Sequence, residues 1–311
     1  MDQQTLQFGL EIELLLGSRK KTYPNWKTLA KDVSKRLLKA GIPNHINDTN
    51  DKSPANYTEW SIAPEITIPN QPAKNLWGIE LVSPVYHAHS YWASTISTIF
   101  SVLAQNFAIH HCPHTSTHIH VSGAPSPLSP EGLASLAKAA LYYESALDAL
   151  MPAGRRDSVA YWCQSNRASR AIINTGLLDS LAVLDTAQST REVVETMNLF
   201  PCASAYGKAN GKKKDFVRGK VYKWDFTGMI GERGTVEYRQ PAGSLSAEDA
   251  AGWVTLALAF VAGAVEVGET LGNGRGEGAS LDELWAMLVV GAEALGWEGL
   301  GAVEGLFERA E

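Results

Sequence analysis

The chain has 311 residues, 45% hydrophobic and 19% charged, which is the composition of a globular protein. Its formal net charge of −6 disfavours non-specific binding to nucleic acid. Three widely spaced cysteines form no metal-type pair and no disulfide framework, and the N-terminus carries Glu11 and Glu13 inside its apolar run, unlike a signal peptide. No uninterrupted apolar run has membrane-spanning length. We therefore expect a cytoplasmic protein without membrane or nucleic-acid partners.

The first half of the chain predicts strands and helices, but not in the regular β-α-β alternation of a parallel sheet. Apolar residues alternate with glutamates over residues 8–16, which predicts a strand. Helical spacing of apolar residues predicts helices at 26–40 and 91–109. Two further segments, 78–84 and 116–123, are short, rich in β-branched residues and bounded by Pro or Gly, so they are predicted strands.

The second half predicts mainly helices and one terminal hairpin. Residues 203–220 are rich in Gly and Lys and predict an exposed, mobile loop. Residues 222–226 and 235–240 predict two strands around a glycine turn. The predicted helices cover residues 131–150, 180–197, 247–270 and 281–295, the last preceded by a Gly-rich linker at 272–278.

Each of four predicted strands has one apolar face and one polar face. This pattern favours an α+β fold, in which one face of an antiparallel sheet packs on helices and the other lines a cleft. Along residues 234–240, Glu237 and Arg239 lie two apart and therefore share a face. A carboxylate and a guanidinium on one sheet face suit a surface that meets both a metal and a phosphate.

The polar faces of the four strands converge if their apolar faces pack on one helical layer. They carry Glu11 and Glu13; Glu80; His118, His120 and Ser122; and Glu237 and Arg239. Crowded carboxylates repel one another unless cations lie among them, and oxygen-rich sets with imidazoles suit Mg²⁺ or Mn²⁺ better than Zn²⁺. An added Arg suits phosphate oxygens, so the set has the components of phosphoryl transfer from a nucleotide.

Each motif also has a simpler interpretation. The glutamates of the first and second strands are compatible with solvated faces. The histidines are compatible with buried structural roles or with a zinc pair. Glu237 and Arg239 are compatible with a plain ion pair.

The four motifs together resemble those of the putative amidoligase family, which belongs with glutamine synthetase and γ-glutamylcysteine ligase. They are FGLEIE at 8–13, GIELVSP at 78–84, THIHV at 117–121 and GTVEYRQ at 234–240. The resemblance covers about residues 6–265. It implies a curved antiparallel sheet that forms an open funnel with helices outside, and an enzyme that uses ATP and a divalent metal to make an acyl phosphate, which an amine attacks. It implies a catalytic domain at 1–271, with 272–311 packed on it.

The resemblance also implies roles for individual residues. Arg239 neutralises charge on the transferred phosphoryl group, and Glu237 and His120 join it in catalysis. The implied metal ligands are Glu11, Glu13, Glu80, His118 and Glu237. The implied nucleotide-side residues are Arg239, His118, Ser122 and Lys220, and the implied substrate-side residues are Ser83, Arg155 and Arg156.

Three implied features stay open at the level of sequence. Arg155 and Arg156 are compatible with binding a substrate carboxylate or with solvation. The lysines at 208, 212, 213 and 214 are compatible with a lid over phosphate or with a solvated loop. Asp225 stands where the family has Asn.

The sequence thus predicts an ATP- and Mg²⁺-dependent (or Mn²⁺-dependent) ligase acting on small-molecule or peptide carboxylates and amines. A metal-dependent amide hydrolase would use the same carboxylates and histidines without ATP. A non-catalytic relative that binds nucleotide or amino acid is the third interpretation. The acid, the amine and the oligomeric state are not identified by the sequence.

Overall fold

The computed structural model describes residues 5–156, 162–271 and 276–309. Within these residues the chain forms a mixed α+β fold. The strands are β1 Thr5–Ser18, β2 Asn44–Ile46, β3 Trp60–Pro64, β4 Leu76–Val82, β5 Tyr86–His87, β6 Phe107–His110, β7 Thr117–Ala124, β8 Leu199–Phe200, β9 Phe216–Val217, β10 Trp224–Asp225 and β11 Val236–Tyr238. The α-helices are α1 Trp26–Lys39, α2 Trp92–Asn106, α3 Pro130–Tyr142, α4 Glu144–Ala149, α5 Leu177–Asp185, α6 Thr190–Asn198, α7 Ala205–Ala209, α8 Ala247–Val267, α9 Leu281–Ala294 and α10 Gly301–Phe307.

Nine of the described strands form one open sheet in the order β10-β11-β7-β1-β4-β3-β2, with β5 and β6 also pairing with β1. Only β2 and β3 pair in parallel; the other pairs in this sheet are antiparallel. The predicted α+β class and antiparallel sheet are therefore confirmed. The funnel shape implied by the family resemblance stays a prediction.

Strand β1 gives the sheet its two faces. Leu10, Ile12 and Leu14 are buried in the main hydrophobic core. Glu11 and Glu13 alternate with them and therefore point to the other face. Since β1 lies between β7 and β4, its glutamates are placed beside residues of both neighbours.

Helix α8 is the centre of the helical layer. It packs on α9, α10, α3, α2 and β7. By length and composition alone this helix is apolar enough to cross a membrane, but most of it is buried inside the protein, as in the core helix of a soluble fold. Phe260 on α8 stacks on Trp224 with ring centroids 5.1 Å apart, and Trp224 stacks on Tyr238 at 4.3 Å. These rings fix the terminal hairpin to α8.

Strand β10 lies at the edge of the sheet. Asparagine side chains form hydrogen bonds with the backbone N–H and C=O groups on its unpaired side. Asn166 Oδ1 accepts from the Trp224 N–H at 3.0 Å, and its Nδ2 donates to the Trp224 carbonyl at 2.9 Å. Asn198 Oδ1 accepts from the Phe226 N–H at 3.0 Å. Both asparagines are buried, so they satisfy donors and acceptors that a further strand would otherwise pair.

Several predicted elements are shorter than expected. The helix predicted at 91–109 ends at Asn106, because the chain then extends as β6 to pair with the end of β1. The helix predicted at 131–150 is broken at Tyr143, and the one predicted at 180–197 is two helices, the second capped by Ser189. The strand predicted at 222–226 is reduced to Trp224–Asp225.

The segment 203–220, predicted as an exposed, mobile loop, is mostly exposed but is not structureless. The segment contains α7 and β9, and β9 pairs with β8. Tyr206 stacks on Phe216 at 6.3 Å, so aromatic residues hold it in place. The helix α9 is not the last one, since α10 follows, and both pack on α8. Of the predicted linker, residues 272–275 lie outside the described residues, and a domain boundary at 271 stays a prediction.

We expect Asn166→Ala to lower the free energy of unfolding by about 1–3 kcal/mol, because it removes the side-chain partner of the buried Trp224 N–H, while the Trp224 carbonyl keeps Asn198 Nδ2 at 3.3 Å. Urea denaturation of the purified protein measures this. Asn210→Ala is the matched control, because Asn210 is exposed and donates only to the Tyr206 carbonyl among the described contacts, so its effect stays within about 0.5 kcal/mol. Equal effects of the two substitutions would contradict the role given to Asn166.

Candidate functional site

The polar side chains of β1, β4, β7 and β11 meet on one face because of the strand register. Glu13 lies directly opposite Glu80, Glu11 opposite His118, and Glu237 opposite His120. Gly9 is the residue of β1 opposite His120, so no side chain crowds that position. We call the set formed by Glu11, Glu13, Glu80, His118, His120, Glu237 and Arg239 the acidic cluster.

The acidic cluster contains two groups of side chains that are spaced to hold a cation. Glu11, His118 and Glu237 form one, and Glu13, Glu80 and His118 form the other; within each group the ligand atoms lie within 4.8 Å of one another. His118 Nδ1 lies 3.3 Å from Glu11 Oε2 and 3.5 Å from Glu237 Oε1. The five residues expected as metal ligands are the members of these two groups.

The pKa shifts in the cluster show an excess of carboxylate charge on one side. Burial, reinforced by the charge of Glu11, raises the pKa of Glu80 well above its usual range, and burial also raises the pKa of Glu13. Burial alone would raise the pKa of Glu11 and of Glu237. The neighbouring histidines, joined at Glu237 by Arg239, lower both instead. The Glu13–Glu80 side therefore lacks positive charge.

A hard divalent cation fits this donor set. Carboxylate oxygens with one imidazole are ligands that Mg²⁺ and Mn²⁺ accept, and a cation would relieve the repulsion that raises the pKa of Glu80. His120 Nε2 is buried and makes no hydrogen bond to any described residue, although it lies 3.3 Å from Glu11 Oε1. A polar atom left in this state indicates a missing ligand.

Lys52 supplies part of the missing charge. Its Nζ lies 3.9 Å from Glu80 Oε2, and its pKa is raised, because the attraction of Glu11 and Glu80 outweighs the effect of burial. Lys52 stands in the connection between β2 and β3. It belongs to no strand motif, and for that reason the sequence analysis missed it.

Two cavities open onto the cluster. The first has a volume of about 610 Å³ and extends toward β10, β11 and the segment 206–220, while the second has about 700 Å³ and extends along β1 and the end of β4. Both are lined by Glu11, Lys52, His120, Thr227, Gly228, Arg233 and Thr235. The cluster therefore lies at the junction of two spaces of ligand size.

The first cavity has a cationic wall. Lys52, Lys212, Arg218, Lys220 and Arg233 line it, against the acidic Glu11, Asp225 and Glu237. Arg218 lies over the Tyr206 ring at 3.5 Å, and Lys212 lies over the Phe216 ring at 5.0 Å, so aromatic faces hold these cations in position. The predicted nucleotide-side residue Lys220 lies here. Four lysines were considered as a lid over phosphate. Of these, Lys212 is the one that lies among the described lining residues of the first cavity.

Arg239 lies beneath this cavity and does not line either one. Its Nη1 contacts Glu237 Oε1, and its Nε has no hydrogen-bond partner among the described residues. Burial would lower the pKa of Arg239, but Glu237 and further carboxylates raise it. The guanidinium is thus a buried, permanently charged group that acts on the cavity through Glu237.

Arg155 and Arg156 do not join the cluster, and neither lines a cavity. Arg155 donates to the carbonyls of Gln240, Pro241 and Thr115 and to the Ser116 hydroxyl. It therefore ties the start of β7 to the chain after β11, and the Ser116 N–H in turn donates to Glu13 Oε2 at 2.7 Å. The exposed Arg156 donates to the carbonyls of Met151 and Ala149 at the end of α4.

Ser83, Ser122 and Asp225 are engaged in local hydrogen bonds. Ser83 and Ser122 line the second cavity, but the Ser83 hydroxyl accepts from Leu10 N–H and donates to the Pro84 carbonyl. The Ser122 hydroxyl accepts from the Gln7 amide and donates to the Gly123 carbonyl. Asp225 accepts hydrogen bonds from the backbone N–H groups of Lys220 and Thr227. The carboxylate at this position therefore has a structural role.

The sequence analysis missed the cavity residues that lie on loops. Arg233 lies in the turn before β11, and its guanidinium stands over the Tyr57 ring at 5.5 Å, so the loop before β3 and the β10–β11 connection meet above the sheet. Gly234 follows with φ +62°, and a Cβ there would lie 2.5 Å from Pro127 Cγ. The sequence Glu-Arg-Gly, which is typical of a tight turn, is the signal from which the position of Arg233 could have been predicted.

Comparison with known families agrees with this geometry. The model of the family described as "Putative amidoligase enzyme" matches residues 4–261, which include every member of the acidic cluster. No curated protein matches the chain.

We expect Glu80→Gln to stabilise the metal-free protein and to weaken its stabilisation by metal, because the group formed by Glu11, His118 and Glu237 stays intact. The folded-state pKa of Glu80 is raised, so the metal-free protein loses stability as pH rises above the pKa of the unfolded chain. At about pH 8 the variant gains about 1 kcal/mol or more. Unfolding midpoints measured with and without Mn²⁺ test both parts.

Glu195→Gln is the control for this experiment, because Glu195 is exposed on α6 and its ion pair with Arg191 is worth little. It leaves both the metal-free midpoint and the Mn²⁺ response as in the wild type. A Glu80→Gln protein that Mn²⁺ stabilises as strongly as the wild type, over the same range of Mn²⁺ concentrations, would show that Glu80 is not a ligand.

Proposed function

Because the chain belongs to the putative amidoligase family, we propose that it is an ATP-dependent ligase that joins a carboxylate to an amine through an acyl phosphate. The family indicates an enzyme that forms amide bonds; ATP, Mg²⁺ (or Mn²⁺) and the intermediate are our proposal. The observation that carries it is the acidic cluster at the junction of two cavities, one of them with a cationic wall.

The reaction needs activation because a carboxylate is a poor electrophile, whose leaving group would be oxide. In the first step a carboxylate oxygen attacks the γ-phosphorus of ATP, the bond to the β–γ bridging oxygen breaks, and ADP leaves. In the second step the amine attacks the acyl carbon, and inorganic phosphate leaves as the amide forms. Both steps develop negative charge on phosphate oxygens, so fixed positive charge accelerates them.

The protein supplies that charge in two ways. Glu11, Glu13, Glu80, His118 and Glu237 would hold divalent cations, which when bound offset charge on the phosphate oxygens. Lys220, Arg233 and Lys52 line the cationic cavity and bind the phosphates directly. Arg239, buried against Glu237, adds a fixed charge beneath the cavity.

The amine attacks as the neutral form, so the site must accept a proton from it. His120 lines both cavities and lies between the phosphate side and the substrate side. We assign proton transfer to His120 together with the adjacent Glu11 and Glu237 carboxylates. The substrates are small molecules or peptides. The free thiols of Cys112, Cys163 and Cys202 suit a reducing compartment such as the cytoplasm.

Release of ADP from ATP, measured with a panel of acids and amines in the presence and absence of Mg²⁺, tests the proposal. We expect release that requires ATP, the metal and an acid, with amide product only when an amine is added. Amide hydrolysis without nucleotide would favour the metal-dependent hydrolase. Saturable nucleotide binding without turnover across the panel would favour the non-catalytic relative.

We expect Arg239→Gln to lower kcat by a factor of about 10²–10⁴, as the loss of a preorganised charge does in other active sites. Arg156→Gln is the matched control, because Arg156 is exposed and contacts only carbonyls at the end of α4 among the described residues. Circular dichroism and the Mn²⁺ response establish that the Arg239 variant is folded. A folded variant with wild-type kcat would exclude Arg239 from catalysis.

A further inference from the structure

We infer that the second cavity binds the acid that is activated, and that this acid carries a large apolar group near its carboxylate. This is the chemistry of an aliphatic or aromatic amino acid, either free or at the carboxyl end of a short peptide. The inference rests on the proposed ligase function and adds the substrate class to it. It starts from the different walls of the two cavities.

The two cavities differ in the charge of their lining residues. The first has five cationic lining residues against three acidic ones, which suits a polyphosphate. The second is lined by two cations, Lys52 and Arg233, and two acids, Glu11 and Glu232. It therefore lacks the excess of positive charge that a nucleotide requires, and Lys52 or Arg233 can pair with no more than a single ligand carboxylate.

The second cavity is directed along β1, away from the Glu13–Glu80 pair. Its lining includes Gln7 to Leu10 of β1, with Ser122 of β7 opposite Gln7 and Val82 of β4 opposite Glu11. From Glu11 to Gln7 a strand rises by about 13 Å. A ligand with its carboxylate near Glu11, Lys52 and His120 therefore has room for a long group beside β1.

Apolar side chains form the wall that this group would contact. Val82, Val85, Pro54 and Tyr57 line the cavity, and Val85 is 52% exposed. An apolar wall inside a concave site gains free energy when an apolar ligand covers it. A polar chain such as that of glutamate would instead lose water there without a charged partner.

Tyr57 adds one polar contact to this wall. Its hydroxyl oxygen is buried and has no hydrogen-bond partner among the described residues. Its ring lies beneath the Arg233 guanidinium, which lines both cavities. A buried hydroxyl in this state is suited to a ligand amine or carbonyl, groups that an amino acid or a peptide carries next to its carboxylate.

Isothermal titration with Mg²⁺ and without nucleotide tests the inference on the full chain. The ligands are L-leucine, L-phenylalanine, a leucine-terminated dipeptide, L-glutamate and glycine. We expect leucine, phenylalanine or the dipeptide to bind at least 10-fold more tightly than glutamate and glycine. Tighter binding of glutamate or glycine, or no binding of any apolar acid at millimolar concentration, would overturn the inference.

Val85→Asp places a charge in the apolar wall and should weaken the apolar acid at least 10-fold, while MgATP affinity stays as in the wild type. Val183→Asp is the matched control, because Val183 is 41% exposed on α5 and lines neither cavity. The nearly isosteric Val85→Thr should weaken binding in the same direction by a smaller factor. Unchanged binding by both Val85 variants would contradict the assignment of the wall.

ADP release separates this inference from the proposed function. If apolar acids bind but ATP is not consumed with any amine, the ligase proposal fails and the pocket assignment stands. If ATP is consumed with glutamate, and the rate of consumption is unchanged by Val85→Asp, the ligase proposal stands and the substrate class is wrong.

Discussion

Alternation of side chains along β1 is the constraint on which the rest of the structure depends. Leu10, Ile12 and Leu14 enter the core, and Glu11 and Glu13 necessarily point to the other face. The same strand is therefore both the centre of the hydrophobic layer and the base of the acidic cluster. A shift of one residue in its pairing would bury the two carboxylates among helices and expose the leucines, so core packing itself holds the site in register.

The carboxylates of the acidic cluster repel one another, and nearby basic groups offset this repulsion at some positions more than at others. Around Glu11 and Glu237 the two histidines and Arg239 lower the carboxylate pKa values. Around Glu80, Lys52 and His118 do not offset burial and the neighbouring carboxylates, and the pKa is raised. The carboxylates are thus compensated by basic groups around Glu11 and Glu237 and poorly compensated around Glu80, where a bound cation would add the missing positive charge.

Sequence alone predicted the acidic cluster and three of the cavity-lining residues, Lys220, Ser83 and Ser122, but missed the lining residues Lys52 and Arg233. The positions of Glu11, Glu80, His118 and Glu237 follow from a period of two within short segments, which is local information. Lys52 and Arg233 reach the site from loops whose paths depend on packing across the sheet, and no short pattern encodes those paths. The same holds for the segment 203–220, where aromatic stacking and pairing of β9 with β8 overrode a composition typical of loops. Arg155 was assigned to substrate by its place in the chain, but its described partners are three main-chain carbonyls and the Ser116 hydroxyl, which sequence does not reveal.

The contact between Arg233 and Tyr57 joins two loops above the sheet and leaves one guanidinium facing both cavities. A ligand that attracts the Arg233 guanidinium toward one cavity moves its charge away from the other cavity. If the two proposed ligands occupy these spaces, their binding is energetically linked through Arg233, and by thermodynamic reciprocity each changes the affinity of the other by the same factor. Such a shared counterion would couple the two proposed ligands without any moving domain.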